Sequence, residues 1–169
     1  TVGIVGCGHV GKDLARLLRA FDCRVLAHDI KTDETFCQDV GVEMTDLGRL
    51  LAESEIVSLH LPLDETTQGM IDAGRLARLR DGAILINAAR GNLVEESALA
   101  AELKSGRLMA AAFDVFACEP PTDNPLIGLP NFLATPHIGG STEEAILSMG
   151  LAAIDGLDHA EDALKFVDA

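Results

Sequence analysis

The stretch that decides the fold is Thr1-Val2-Gly3-Ile4-Val5-Gly6-Cys7-Gly8-His9-Val10-Gly11. A short apolar run leads into Gly6-x-Gly8-x-x-Gly11, and apolar residues at helical spacing follow in residues 14–21. This order predicts a strand, a tight glycine turn and a helix. Gly6 permits the turn, Gly8 lets the backbone approach a pyrophosphate, and Gly11 lets the helix pack closely on the strand. The start of the helix then offers free N–H groups and a positive dipole end to phosphates.

An acidic residue indicates which dinucleotide would bind. Asp29 follows the second apolar run, Arg24–His28. A carboxylate at the end of that strand accepts hydrogen bonds from a ribose 2′-hydroxyl and repels a 2′-phosphate. The sequence therefore predicts an NAD site rather than an NADP site.

Composition narrows the class of protein and its partners. A chain of 169 residues, 48% of them hydrophobic, suits one globular domain, and we expect residues 1–169 to form it. With 13 Lys and Arg against 27 Asp and Glu, the formal charge of −14 argues against nucleic acid and anionic membranes as partners. The four cysteines are widely spaced, without a CxxC pair, which favours reduced thiols in the cytoplasm and no metal site.

Strand and helix signals alternate along the chain, which predicts an α/β fold: a doubly wound, Rossmann-type parallel sheet with helices on both faces. The expected strands are Val2–Val5, Arg24–His28, Val42–Met44, Ile56–Leu61, Ala83–Asn87, Met109–Phe113 and Phe132–Ala134. The expected helices are Val10–Phe21, Asp33–Val40, Asp46–Ala52, Asp72–Leu79, Glu95–Ser105 and one that begins at Thr142. The irregular segment Cys118–Asn131 is expected to be one long surface loop.

Polar residues gather where the predicted strands end. Because ligands of open parallel sheets bind beyond the carboxyl ends of the strands, we expect these residues to share one edge. They are the glycine turn, Asp29, His60-Leu61-Pro62, Asn87–Gly91, Asp114 and Thr135–Thr142.

Five ordered motifs resemble the NAD-binding domain of the D-isomer-specific 2-hydroxyacid dehydrogenases. The motifs are Gly6–Gly11, His60–Leu63, Asn87–Val94, Phe113–Phe116 with Glu119-Pro120, and Thr135–Gly140. The His-Ile-Gly-Gly-Ser-Thr segment is similar to that of D-3-phosphoglycerate dehydrogenases, and it also occurs in other branches of the family. The family's substrate domain is built from segments before and after the cofactor domain, so we expect it to be absent from this chain.

The resemblance implies three catalytic residues. Arg90 resembles the arginine that holds the substrate's carboxylate, which its planar guanidinium suits. His137 resembles the acid/base, since imidazole titrates in the working range of pH. Glu119 resembles the carboxylate paired with that histidine, which favours imidazolium and raises its pKa. The plainer alternatives are an ion-paired arginine, a structural histidine and a glutamate on the loop surface.

The resemblance also implies a cofactor site that holds NAD. His9 and Val10 would lie at the pyrophosphate, Leu61 and Pro62 on the adenosine side, and Asp114 near the nicotinamide, where Ala88 would offer its carbonyl. The expected cofactor-binding residues are Gly6, Gly8, His9, Val10, Gly11, Asp29, Leu61, Pro62, Ala88, Ala89, Arg90, Asp114, His137, Gly139 and Gly140.

The resulting expectation is the cofactor domain of an oxidoreductase that transfers hydride between NAD and a D-2-hydroxy acid. The substrate to try first is a phosphorylated one such as 3-phosphoglycerate. The resemblance also implies a homodimer. The apolar stretch Leu93–Leu108 could face a partner or pack on the sheet. Two alternatives stay open: an NAD-sensing corepressor-like protein of the same family, and an NAD-binding fragment without activity of its own.

Overall fold

One parallel sheet of seven strands forms the centre of the computed structural model, which describes residues 1–160. The strands are β1 Val2–Val5, β2 Val25–His28, β3 Val42–Met44, β4 Ile56–Leu59, β5 Ile84–Asn87, β6 Ala110–Phe113 and β7 Phe132–Ala134. Their order across the sheet is β3-β2-β1-β4-β5-β6-β7. The chain thus runs outward from β1 to β3 and then outward on the other side from β4 to β7. Such a reversal opens a crevice at the carboxyl ends of β1 and β4.

Six α-helices accompany the strands in residues 1–160. They are α1 His9–Leu18, α2 Glu34–Val40, α3 Leu47–Glu53, α4 Ala73–Leu76, α5 Glu96–Ser105 and α6 Glu143–Asp158. Asp33, Asp46, Asp72 and Thr142 cap four of them, each side chain accepting the N–H three residues on. Gly106 ends α5 in the left-handed conformation, with a φ of 76°. None of the helices in this range is long and apolar enough to cross a membrane.

The core lies on both sides of the sheet because successive strand residues point to opposite faces. In β1, Ile4 belongs to one buried cluster with Ala15 of α1 and Phe36 of α2. Its neighbour Val5 belongs to a larger cluster on the other side, with Leu50 of α3. The predicted doubly wound α/β fold is confirmed.

The chain divides into two compact units, Thr1–Pro136 and His137–Ala169. The first contains the whole sheet and helices α1 to α5. The second contains α6, and the structure describes it as far as residue 160.

The predicted bounds differ from the structure at a few ends. The helix expected to reach Phe21 tightens into a 3₁₀ turn at Arg19–Phe21, and β4 ends at Leu59 rather than Leu61. The helix expected over Asp72–Leu79 is α-helical only to Leu76. The carbonyls at this helix end find a partner far along the chain. The guanidinium of Arg107 donates to the carbonyls of Leu76 and Leu79 at 2.6 and 2.8 Å.

Candidate functional site

The glycine turn between β1 and α1 is shaped by three different steric demands. Gly6 has a φ of 97°, and a Cβ there would lie 2.8 Å from the backbone carbonyl of His60. A Cβ on Gly11 would lie 2.1 Å from the Gly6 carbonyl oxygen, so the helix start can approach the turn only because residue 11 lacks a side chain. A Cβ on Gly8 would meet nothing within 4 Å and would project into open space. Open space at the start of a helix is the kind of position where free backbone N–H groups can bind a phosphate.

Asp29 directly follows β2 and reaches back to this turn. Its Oδ2 accepts the N–H of Cys7 at 2.6 Å, and its Oδ1 accepts the N–H of Lys31 at 3.0 Å. Both bonds fix the carboxylate in place. A carboxylate retains further lone pairs, so Asp29 can also accept bonds from ribose hydroxyls.

A cavity of about 360 Å³ adjoins the turn and the Asp29 carboxylate. Hydrogen bonds hold the lining segment from Pro62 to Thr67 in place. The Oδ1 of Asp64 accepts the N–H groups of Thr66 and Thr67, and the Thr67 hydroxyl donates to the Pro62 carbonyl at 2.8 Å. Apolar walls beside a carboxylate suit an adenosine. The lining residues are Gly6, Gly8, His28, Asp29, Ile30, His60, Leu61, Pro62, Asp64, Thr66, Thr67 and Met70.

His60, to which the sequence pattern assigned no role, lies in the wall of this cavity. Its ring Nε2 lies 3.0 Å from the Ser58 hydroxyl oxygen, and burial lowers the pKa of the imidazole below its usual 6.5. Burial therefore favours the neutral form of the ring. Its position at the end of β4, among the polar strand ends, was the signal that could have identified it.

A second part of the site is organised by Asn87 at the end of β5, whose side chain is 0% exposed. Its Nδ2 donates to the Arg90 carbonyl at 2.8 Å, and its Oδ1 accepts the N–H of Ala89 at 3.1 Å. Its own carbonyl accepts the N–H of Asp114 at 3.0 Å. One buried amide thus fixes the loop that carries Arg90, whose own side chain is exposed.

Asp114 follows β6 and is buried. Its Oδ1 accepts the Thr135 hydroxyl at 2.5 Å. Ala88, Asp114 and Thr135 line a smaller cavity, of about 160 Å³, at the carboxyl ends of β5, β6 and β7. This cavity is a candidate for the nicotinamide end of the dinucleotide.

The loops that carry Arg90 and Glu119 are packed against each other. A Cβ on Gly91 would lie 1.9 Å from the Phe116 carbonyl carbon, so only glycine allows this approach. Glu119 in turn accepts the N–H of Phe116 at 2.9 Å through its Oε1. The exposed side chains of Arg90 and Glu119 therefore lie on two interlocked loops.

His137, Gly139 and Gly140 lie in the second unit, just before α6. His137 adopts a left-handed backbone, with a φ of 56°, which is uncommon for a residue other than glycine. The Ile138 carbonyl accepts the N–H of Ser141 at 3.0 Å, and Thr142 then caps α6. Backbone conformations of this kind cluster at functional sites.

Within the first unit, the structure brings the expected cofactor residues into two groups at one edge of the sheet. The first group surrounds the glycine turn, with His9 and Val10 exposed at the start of α1. It comprises Gly6, Gly8, His9, Val10, Gly11, Asp29, Leu61 and Pro62. The second group, on the loops after β5 and β6, comprises Ala88, Ala89, Arg90 and Asp114. Residues 1–160 contain no group of three or more His, Cys, Asp or Glu side chains suited to a metal ion.

Comparison with known proteins points to a single family. Residues 1–139 match the model of the D-isomer specific 2-hydroxyacid dehydrogenase NAD-binding domain. Over its whole length, the chain is 41% identical to a D-3-phosphoglycerate dehydrogenase from Archaeoglobus fulgidus, and the match covers 32% of that protein. It is also 42% identical, over 92% of its length, to 51% of a hydroxypyruvate reductase from Thermotoga maritima.

Solved structures agree with the sequence comparison. A D-isomer specific 2-hydroxyacid dehydrogenase from Lactobacillus delbrueckii, solved as its NAD complex, is 31% identical and superposes with a TM-score of 0.84. The match covers 95% of this chain and 54% of that one. The chain thus spans between 32% and 54% of the length of these relatives.

Proposed function

The chain belongs to the D-isomer specific 2-hydroxyacid dehydrogenase family, as its NAD-binding domain, and we propose on this premise that it is the cofactor half of a two-domain dehydrogenase. The enzyme transfers hydride between NAD and a D-2-hydroxy acid. The observation that carries the proposal is the arrangement around Asn87, which fixes the Arg90 loop and the start of the Asp114 loop at the same edge as the glycine turn. A substrate held by Arg90 would lie beside the nicotinamide end of a dinucleotide.

The chain's own residues bind the substrate and move one proton. NAD, held by the glycine turn and Asp29, would supply the acceptor for the hydride of C2 of the hydroxy acid. Arg90 binds the substrate carboxylate, because its guanidinium matches two carboxylate oxygens and stays charged at any working pH. His137 takes the proton of the C2 hydroxyl, and Glu119 supports the imidazolium that results.

Asp29 recognises the adenosine half of the dinucleotide. Its carboxylate, held between the N–H groups of Cys7 and Lys31, accepts bonds from the ribose and repels a 2′-phosphate. Gly8 leaves room for the pyrophosphate, and His9 and Val10 offer backbone N–H groups at the start of α1.

We propose 3-phosphoglycerate as the first substrate to test. The support is the similarity over the full chain to a D-3-phosphoglycerate dehydrogenase. The similarity to a hydroxypyruvate reductase makes hydroxypyruvate the second compound. No observation favours the regulatory alternative, since these relatives are named as dehydrogenases or reductases.

The test is an assay of the full-length protein with NAD, NADH and a panel of D- and L-hydroxy and oxo acids. We expect turnover with a D-hydroxy acid, none with its L-enantiomer, and near loss of kcat in His137→Ala while NAD affinity stays the same. His159→Ala, which removes an exposed histidine at the end of α6, is the matched control. Absence of turnover with every acid of the panel would overturn the proposal.

We also propose a cytoplasmic homodimer, on two lines of support. The four cysteines carry free thiols, as expected in a reducing compartment. The apolar stretch from Leu93 to Leu108 packs into the core of its own unit and offers no face to a partner. The proposed dimer contact is instead an apolar groove at the amino end of the sheet. Phe21 and Met109 line this groove and are 75% and 61% exposed. Sedimentation at several concentrations tests the dimer, and a strict monomer would overturn it.

A further inference from the structure

The loop that carries Glu119 is held in place from outside. No helix or strand lies between Asp114 and Asn131. Instead, Glu96 in the first turn of α5 bonds this loop with both carboxylate oxygens. Its Oε1 accepts the N–H of Ala117 at 2.9 Å, and its Oε2 accepts the side-chain Nδ2 of Asn124 at 2.7 Å. These two points lie on either side of Glu119 in the chain.

The helix that carries Glu96 is itself fixed. Leu99 and Leu103 of α5 are buried in the main core, and Glu96 is half-buried. At the far end of the bridge, Asn124 accepts the N–H of Leu126, which is fully buried. The Glu96 carboxylate therefore ties an irregular loop to a rigid element.

The bridge requires two acceptors on one side chain. Both donors, an amide N–H and an amide NH₂, need an oxygen that faces them, and a carboxylate provides two. Hydrogen bonds to an ionised acceptor are also roughly twice as strong as neutral ones. An alanine at position 96 would leave both donors without this acceptor and would release the loop on both sides of Glu119.

We infer that Glu96 is a positioning residue, which sets the location of Glu119 by bridging Ala117 and Asn124. The inference rests on the proposed function, in which Glu119 supports the catalytic imidazole. In the proposed function, Glu96 itself contacts neither substrate nor cofactor. It acts only through the loop.

Glu95 provides a matched control for the test. It precedes Glu96 in the chain, but its Oε2 accepts the N–H of Ala73, at the start of α4, at 3.3 Å. Loss of its carboxylate therefore disturbs a different segment. Glu95→Ala and Glu96→Ala differ by one position and remove the same group.

The experiment measures kcat, and the dissociation constant of NAD, for the full-length enzyme and its variants. Because small misplacements of catalytic groups can cost about 100-fold in rate, we expect Glu96→Ala to lower kcat by about 10-fold to 100-fold. NAD affinity should change less than about twofold, since the cavity at the glycine turn is untouched, and Glu95→Ala should keep the wild-type kcat.

A double-variant cycle identifies the route of the effect. If Glu96 acts through Glu119, Glu96→Ala should cost little further rate in a Glu119→Gln enzyme, because coupled residues are non-additive. An undiminished effect in that background, or a wild-type kcat in Glu96→Ala alone, would overturn the inference. If Glu119→Gln itself leaves kcat unchanged, the proposed role of Glu119 is wrong and the inference falls with it.

Discussion

The carboxylate of Asp29 accepts the backbone N–H of Cys7 at 2.6 Å, so the residue expected to bind the ribose also holds the middle of the glycine turn. The two roles use different lone pairs of the same group. A substitution at position 29 should therefore affect both the choice of cofactor and the geometry of the pyrophosphate loop.

The first prediction separates these two roles. Asp29→Asn keeps an oxygen for the Cys7 N–H but loses the charge, so we expect it to lose most of the preference for NAD over NADP. Asp29→Ala also loses the acceptor. Because a hydrogen bond to a charged group contributes about 1.5–3 kcal/mol, NAD affinity should fall about 10-fold or more in this variant. The wild-type protein and both variants are titrated with NAD and with NADP. Tighter binding of NADP than of NAD by the wild-type protein would contradict the assignment of Asp29.

The second prediction compares two glycines of the same turn. Gly11→Ala would place a Cβ 2.1 Å from the Gly6 carbonyl oxygen, and such overpacking costs about 1–3 kcal/mol of stability. Gly8→Ala meets no protein atom within 4 Å, so it should fold normally but fill the space intended for the pyrophosphate. We expect a lower melting temperature only for Gly11→Ala, and an NAD affinity at least about tenfold weaker in a stable Gly8→Ala. Normal NAD binding by Gly8→Ala would contradict the location of the phosphates.

The sequence predicted features that depend on near neighbours. Strands such as Val42–Met44 and the caps at Asp46 and Thr142 follow from apolar runs and from local hydrogen bonding. The bond from Arg107 to Leu76 could not be predicted, because it joins residues 31 positions apart. For the same reason, the bridges made by Asn87 and Glu96 became visible only in the folded chain. Local patterns define elements, whereas side-chain partners depend on packing between them.

The third prediction concerns acid stability and His60. Burial lowers the pKa of this imidazole in the folded chain below the unfolded value of about 6.5. Between those two pKa values the unfolded chain binds more protons than the folded chain, so the free energy of unfolding rises with pH in this range. The part of the free energy of unfolding that depends on a neutral His60 is fully present above pH 6.5. It is lost as the pH falls from that value through the lower pKa of the folded chain.

Urea unfolding of the chain between pH 5 and pH 8 measures this effect. We expect His60→Gln to flatten the loss of stability below about pH 6.5, because Gln does not titrate. His159→Gln, at an exposed position, is the matched control. An unchanged pH dependence in His60→Gln would show that another group controls acid unfolding.

The fourth prediction tests the fork geometry of Arg90. Arg90→Lys keeps the positive charge but loses the two parallel donors, so the substrate carboxylate should be held less firmly. We expect kcat/KM for the hydroxy acid to fall about 10-fold to 100-fold, with NAD affinity unchanged. Arg80→Lys is the control, since Arg80 lies at the amino end of β5 and contacts the Glu53 carbonyl at 3.5 Å. Equal losses in both variants would remove the special role of Arg90.

The last prediction concerns the 169-residue chain on its own. It should bind NAD, because the glycine turn, the Asp29 carboxylate and the adjoining cavity all lie within residues 1–136. It should nevertheless show negligible turnover. Near-attack geometry between substrate and nicotinamide can contribute about 7–11 kcal/mol toward the barrier, and closure of a second domain is needed to hold the substrate and exclude water.

Calorimetric titration with NAD, followed by the hydroxy acid assay on the same sample, measures both halves of this prediction. Addition of the substrate domain in the full-length protein should restore turnover without a large change in NAD affinity. Rapid turnover by the isolated chain would show that Arg90, Glu119 and His137 can hold the substrate without a second domain. Failure to bind NAD would instead place a missing part of the cofactor site outside these residues.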